Sequence, residues 1–156
     1  MTTRYVEKAV AGLATYFASN LQTYLTAVET AVGITAGSLV MPTILQFDSD
    51  GDNRSPLLCV FETDFAPDRD GGQRNGIWDV FCTARIEYSS DADAEAAAIK
   101  MRRYLDALIR TVLSDTDLGS AVIQVLIRGA EPKLVRGPKS TTRHTYALEL
   151  LVTVAS

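Results

Sequence analysis

The sequence is poor in the residues that usually announce chemistry. Its 156 residues include two cysteines, one histidine and one tryptophan. Two cysteines do not make a disulfide framework. Cys59 and Cys82 each sit in an apolar alternating run and read as buried thiols behaving as small hydrophobes, which fits a reducing compartment. His144 falls on the apolar parity of a strand, near its start, and no partner for acid–base work is marked beside it. Cys59, Cys82 and His144 lack the spacing of a zinc site. No stretch approaches the ~18 uninterrupted apolar residues of a membrane span. The first eight residues, Met-Thr-Thr-Arg-Tyr-Val-Glu-Lys, show no apolar signal core. A soluble chain, intracellular at synthesis, is expected. The formal charge of −4 excludes a diffuse polycation and argues against non-specific nucleic-acid binding, leaving room for a local basic patch. There is no internal repeat and no low-complexity segment.

What the chain does have is an ordered change of hydrophobic period. In residues 4–32, Val6, Val10, Leu13, Phe17, Leu21, Tyr24 and Val28 recur at steps of three and four, one face of a helix that fades at Gly33. A break near Asn20 would shorten it. Residues 42–47 form a short apolar run. After a polar loop comes 57–65, where Leu57, Cys59, Phe61 and Phe65 share one parity. The two runs are predicted as neighbouring strands. Residues 77–88 make the clearest strand, with Trp78, Val80, Cys82, Ala84, Ile86 and Tyr88 on one face and Asp79, Thr83, Arg85 and Glu87, with Ile77 and Phe81, on the other. Residues 89–93 resemble a capped helix start. The helix runs to about residue 113 on a stripe of Ala94, Ala97, Met101, Leu105, Leu108 and Val112. Residues 121–128 read as a strand, 129–142 as a connecting segment, and 143–154 as a last strand carrying His144, Tyr146, Leu148, Leu150, Val152 and Val154 on one face. The expected fold is a single α+β domain over residues 1–156. Its order is α-β-β-β-α-β-β, an antiparallel sheet of four or five strands with two helices on one face. Trp78→Ala is expected to cost about 3–5 kcal/mol if the indole is core.

The charged clusters fall in loops. Asp48, Asp50 and Asp52 alternate like calcium ligands, but Asn53 and Cys59 stand where a calcium loop needs glycine and a bidentate glutamate, so a solvated hairpin loop is the stronger reading. Asp68, Arg69, Asp70 and Arg74 lie in a long polar segment without the lysine and helix of a phosphate loop. Loops of this length are often functional or mobile; a flexible charged tip is the plainer reading, and a tip that meets a neighbouring subunit or faces a channel is the functional one. Arg128, Lys133, Arg136, Lys139 and Arg143 concentrate positive charge around one connection, with no aromatic interleaving of the kind that stacks bases. Lys100, Arg102, Arg103 and Arg110 read as an exposed helix face, with Arg102 and Asp106 spaced to pair.

The whole order resembles the tail terminator and head–tail joining proteins of long-tailed bacteriophages. The likeness is carried by residues 78–88 (Trp-Asp-Val-Phe-Cys-Thr-Ala-Arg-Ile-Glu-Tyr) running into 91–100 (Asp-Ala-Asp-Ala-Glu-Ala-Ala-Ala-Ile-Lys). It is carried also by the closing 142–154 (Thr-Arg-His-Thr-Tyr-Ala-Leu-Glu-Leu-Leu-Val-Thr-Val). The resemblance implies a structural virion protein, not an enzyme, with no cofactor and no metal. It implies a ring, commonly a hexamer, that caps the tail tube and meets a head-completion or neck protein, with genomic DNA passing through its lumen without sequence-specific binding. It places the protein in the virion tail or neck, and in the host cytoplasm during assembly. The expected subunit and partner contacts are Asp68, Arg69, Asp70, Arg74, Arg136, Lys139 and Arg143. A neck or head-completion connector of the same virion, or a small intracellular protein-binding module, is the alternative.

Overall fold

The computed structural model describes residues 5–49, 55–67, 76–90, 94–136 and 142–155. Helix α1 (Tyr5–Val32) is followed by β1 (Thr43–Leu45), β2 (Leu57–Pro67) and β3 (Ile77–Ser90). Helix α2 (Ala94–Ser114), β4 (Gln124–Arg136) and β5 (Thr142–Ala155) complete the order expected from the sequence.

Helix α1 is unbroken through Asn20. It buries Val10, Leu13, Phe17, Leu21, Leu25 and Val28, apolar positions that recur about once per turn. It stops at Gly33, whose φ of 73° favours a residue without Cβ. The amides of Gly33 and Ile34 bond back to the carbonyls of Thr30 and Glu29, closing the end as a Schellman motif. Glu29 is only 2% exposed, and its carboxylate accepts the Leu39 amide at 3.0 Å, tying down the link to β1. Tyr104 of α2 donates its hydroxyl to the Val40 carbonyl at 2.7 Å and holds the same link from the other helix.

The strands lie in the order β1-β2-β3-β5-β4. The sheet is antiparallel except at one edge, where β1 pairs parallel to β2. Two parallel neighbours cannot be joined as a hairpin, so the expected hairpin between β1 and β2 is not formed. Both helices pack on one face of the sheet. Val80, Cys82, Ala84 and Ile86 of β3 join Leu148, Leu150, Val152 and Val154 of β5 and Leu58 and Val60 of β2 in the core beneath them.

Three local readings change. In β2 the helix-facing residues are Leu58 and Val60, paired with Ile86 and Ala84, and not the Leu57 and Cys59 parity. A bulge between Glu62 and Asp64 then turns Phe65 to the helix side, opposite Val80. Strand β4 runs on through the expected connecting segment to Arg136, absorbing Gly129 at a bulge. In α2, Asp106 pairs with Arg110 at 3.8 Å instead of with Arg102.

Trp78 is half-buried, its ring 5.7 Å from Tyr5 and 6.0 Å from Phe65. It closes the end of the core and is not enclosed by it. The expected cost of Trp78→Ala therefore falls to about 2–3 kcal/mol, read as a shift of the urea midpoint at unchanged slope.

Candidate assembly surface

The face of the sheet turned away from the helices divides in two. At one end it is closed. Leu57 and Cys59 point to this face, yet both are fully buried. Arg85, one row across from Cys59, binds the Asp48 carboxylate at 2.7 Å and donates to the Ser49 carbonyl at 3.2 Å. The same guanidinium lies 3.1 Å from Glu87 through Nε and 5.3 Å from the centre of the Phe61 ring. Glu87 is 6% exposed. Burial alone would lower the Arg85 pKa, but the bond to Asp48 and the charges of Glu87 and Asp48 outweigh it and hold the guanidinium charged. Asp48 is thus the anchor of a strap across the sheet. Asp50 and Asp52, the other members of the calcium-like set, lie outside the described residues.

At the other end no described element covers the face. One row runs Asp64, Phe81, Leu151, Leu126 across β2, β3, β5 and β4. Phe81 and Leu151 are half-buried and Leu126 is 47% exposed. Arg128, displaced at the β4 bulge, lays its guanidinium 4.9 Å from the Phe81 ring centre. On the helix side of the same β2 edge, Phe65 is 55% exposed. The combination of apolar side chains, aromatic rings under guanidinium groups and bordering carboxylates has the composition of a protein contact surface.

The residues expected to carry chemistry do not converge. Cys59 and Cys82 point to opposite faces of the sheet, so they cannot meet in a disulfide or share a metal. Burial, and secondarily the charge of Glu62, push the Cys82 thiol up to about 12. At pH 8 roughly one such thiol in 10⁴ would be ionised. Iodoacetamide should therefore leave Cys82 unmodified in the folded chain at pH 8 and label it in urea, as peptide mass spectrometry would register. Rapid labelling of the native chain would contradict the burial. His144 faces the helix side between Tyr88 and Leu134, its Nε2 buried without a hydrogen bond. Among the described residues no group of three histidine, cysteine or carboxylate side chains could hold a metal. No helix among the described residues is long and apolar enough to cross a membrane.

A groove of about 600 Å³ runs beside α1 against the turn before β4, lined by small side chains such as Ala11, Gly12, Thr15 and Ser19. Lys8, at one end, donates to the Ala155 carbonyl at 3.0 Å, and Tyr16 bonds the Ser114 hydroxyl at 2.9 Å. Its polar groups are spent on the fold and form no reactive pair.

The expected contact residues are placed only in part. Asp68, Arg69, Asp70 and Arg74 lie outside the described residues, as does Lys139. Arg136 and Arg143 stand at the distal end of the β4–β5 hairpin, at register positions opposite Thr142 and Val135. The face away from the helices is the one expected to be wet or used for contacts, but Phe81 and Leu151 are not among the expected contact residues. Their signal was available: Ile77 and Phe81 are apolar residues on the otherwise polar face of β3.

Comparison with known protein families and with curated proteins found no match.

Proposed function

We propose that this chain is a structural subunit of a phage virion, a tail terminator that assembles with copies of itself into a ring capping the tail tube where the head attaches. The observation that supports this reading most directly is the half-covered sheet: a two-layer domain strapped shut at one end by Arg85 and Asp48, and apolar and open at the other. Large exposed apolar groups bordered by polar residues mark interaction sites. A contact between two different patches of the same chain closes into a ring when the rotation permits. The net charge of −4 suits a lumen that lets DNA slide without gripping phosphate. In this reading the work is shape matching, and the residue inventory is consistent with that.

The test is the oligomeric state of the purified chain, alone and mixed with a tail tube protein from the same virion, by light scattering and negative-stain microscopy. A closed ring with a central hole, in either sample, supports the reading. A monomer in both ends it.

A further inference from the structure

Two strand edges of this sheet are open, and they lie on opposite sides of the molecule. Strand β1 covers β2 only from Leu57 to Cys59, so from Val60 onward no described strand pairs with the outer edge of β2. On the far side, β4 is the last strand and nothing described pairs with its outer edge. The two edges sit at the same level. The register carries Phe65 through Val80 and Val152 to Val125, and Glu62 through Cys82 and Leu150 to Ile127. The open stretch of β2, residues 60–67, is therefore level with residues 124–130 of β4.

The strands also run in opposite directions. β2 is antiparallel to β3, β3 to β5, and β5 to β4, so β4 and β2 are antiparallel to each other. A second copy set beside the first, with its sheet at the same height and facing the same way, brings β4 of one against the open part of β2 of the other as an antiparallel pair.

The chemistry of the two edges matches. The β2 stretch carries Glu62 and Asp64 and no basic residue, whereas residues 124–130 carry Arg128 and no acidic one. Asp64 and Arg128 are both exposed and both belong to the face away from the helices. Two of the large exposed apolar side chains, Phe65 and Leu126, stand on these same edges. Pro132, which lacks an amide to donate, lies level with Leu58, where β2 is already covered by β1.

We infer that the chain associates head to tail by strand addition, residues 124–130 of β4 in one copy pairing antiparallel with residues 60–67 of β2 in the next, Leu126 falling opposite Asp64 and Arg128 diagonal to it on the same face. The inference rests on the ring reading and names the surfaces that build it. Main-chain bonds supply the ladder, and the side chains supply register and polarity. A β4–β4 pairing, the other use of a long edge, would set Arg128 near Arg128 and so works against itself.

Charge exchange tests this. Asp64→Lys and Arg128→Glu should each shift the assembly toward monomer at least tenfold in concentration, with circular dichroism and melting of the monomer unchanged. The double variant, and an equimolar mixture of the two single variants, should regain the ring. Cysteines at Asp64 and Leu126, which share a row and a face, should give a ladder of covalent oligomers with a short bis-maleimide, and either cysteine alone should give none. Cross-linking by Leu126→Cys alone would establish the β4–β4 contact and overturn the inference. Rings that form normally in both charge variants, with no ladder, would overturn it while leaving the ring reading intact. A wild-type chain that stays monomeric with and without tube protein would remove both.

Discussion

Arg85→Met should lower the stability of the monomer by about 2–4 kcal/mol, more than any other surface-facing substitution in the sheet. Glu87 is 6% exposed and lies 3.1 Å from Arg85, so methionine leaves a largely buried carboxylate without its guanidinium. Breaking a buried pair costs about 3–5 kcal/mol. The side chain of Arg85 is 20% exposed, and water reaching Glu87 reduces that figure. A second loss follows at Asp48 and Ser49, whose bonds to Arg85 hold the strap over Leu57 and Cys59. The methylene stem of Arg85 is replaced almost in kind, so packing contributes little. The double variant Arg85→Met with Glu87→Leu separates the two losses. Removing both charges should recover most of the stability, because an ion pair replaced by apolar groups of similar volume is often nearly neutral. What remains is the loosened strap, seen as faster hydrogen exchange at the amides of Leu57 and Cys59. Equal stability of Arg85→Met and wild type in urea would mean the guanidinium holds nothing in place.

This buckle also explains why part of the fold was hidden in the sequence. Helices show themselves through one buried stripe, and both helices were legible, α1 down to the glycine that ends it. Strand β3 was legible because one of its faces is core and the other is mostly polar. Strand β2 was not. Its first half is buried on both faces, Leu58 and Val60 on the helix side and Leu57 and Cys59 on the other, so the run has no alternation to read. A bulge then changes its parity before Phe65. Strand β4 was truncated at Gly129 for a related reason. Glycine and proline are taken as breaks, but Gly129 occupies a bulge and Pro132 belongs to an edge strand, where a missing amide is tolerated. The parallel pairing of β1 depends on where the crossover returns, which no local pattern encodes. The uncovered apolar row is hard to read from sequence because it is assembled from one or two residues on each of four strands. Phe81, Leu151 and Leu126 are far apart in the chain and adjacent only through register.

The helical layer makes the opposite kind of claim, one that assembly should not touch. Phe17→Ala is expected to cost about 3–5 kcal/mol. Phe17 is 1% exposed and belongs to the single buried cluster that joins α1, α2 and strands β2, β3 and β5. Truncation to alanine removes a whole ring from a place where two layers meet, and neither layer can close the gap without disturbing the other. Helix α2 packs against α1, and its Tyr104 and Met101 are enclosed in the same core. The sheet is fixed by long ladders between β3, β5 and β4. The cavity therefore persists, and its cost adds to the lost transfer energy. Leu113→Ala is the control: the residue sits on α2 but is 62% exposed, and should change stability by less than about 0.5 kcal/mol. Both should be measured by urea unfolding at low protein concentration, because association would otherwise stabilise the folded state by mass action. A monomer that tolerates Phe17→Ala with a loss below about 1 kcal/mol would mean that α1 is not part of a common core. In that case the two-layer packing that leaves the far face of the sheet uncovered would have to be abandoned.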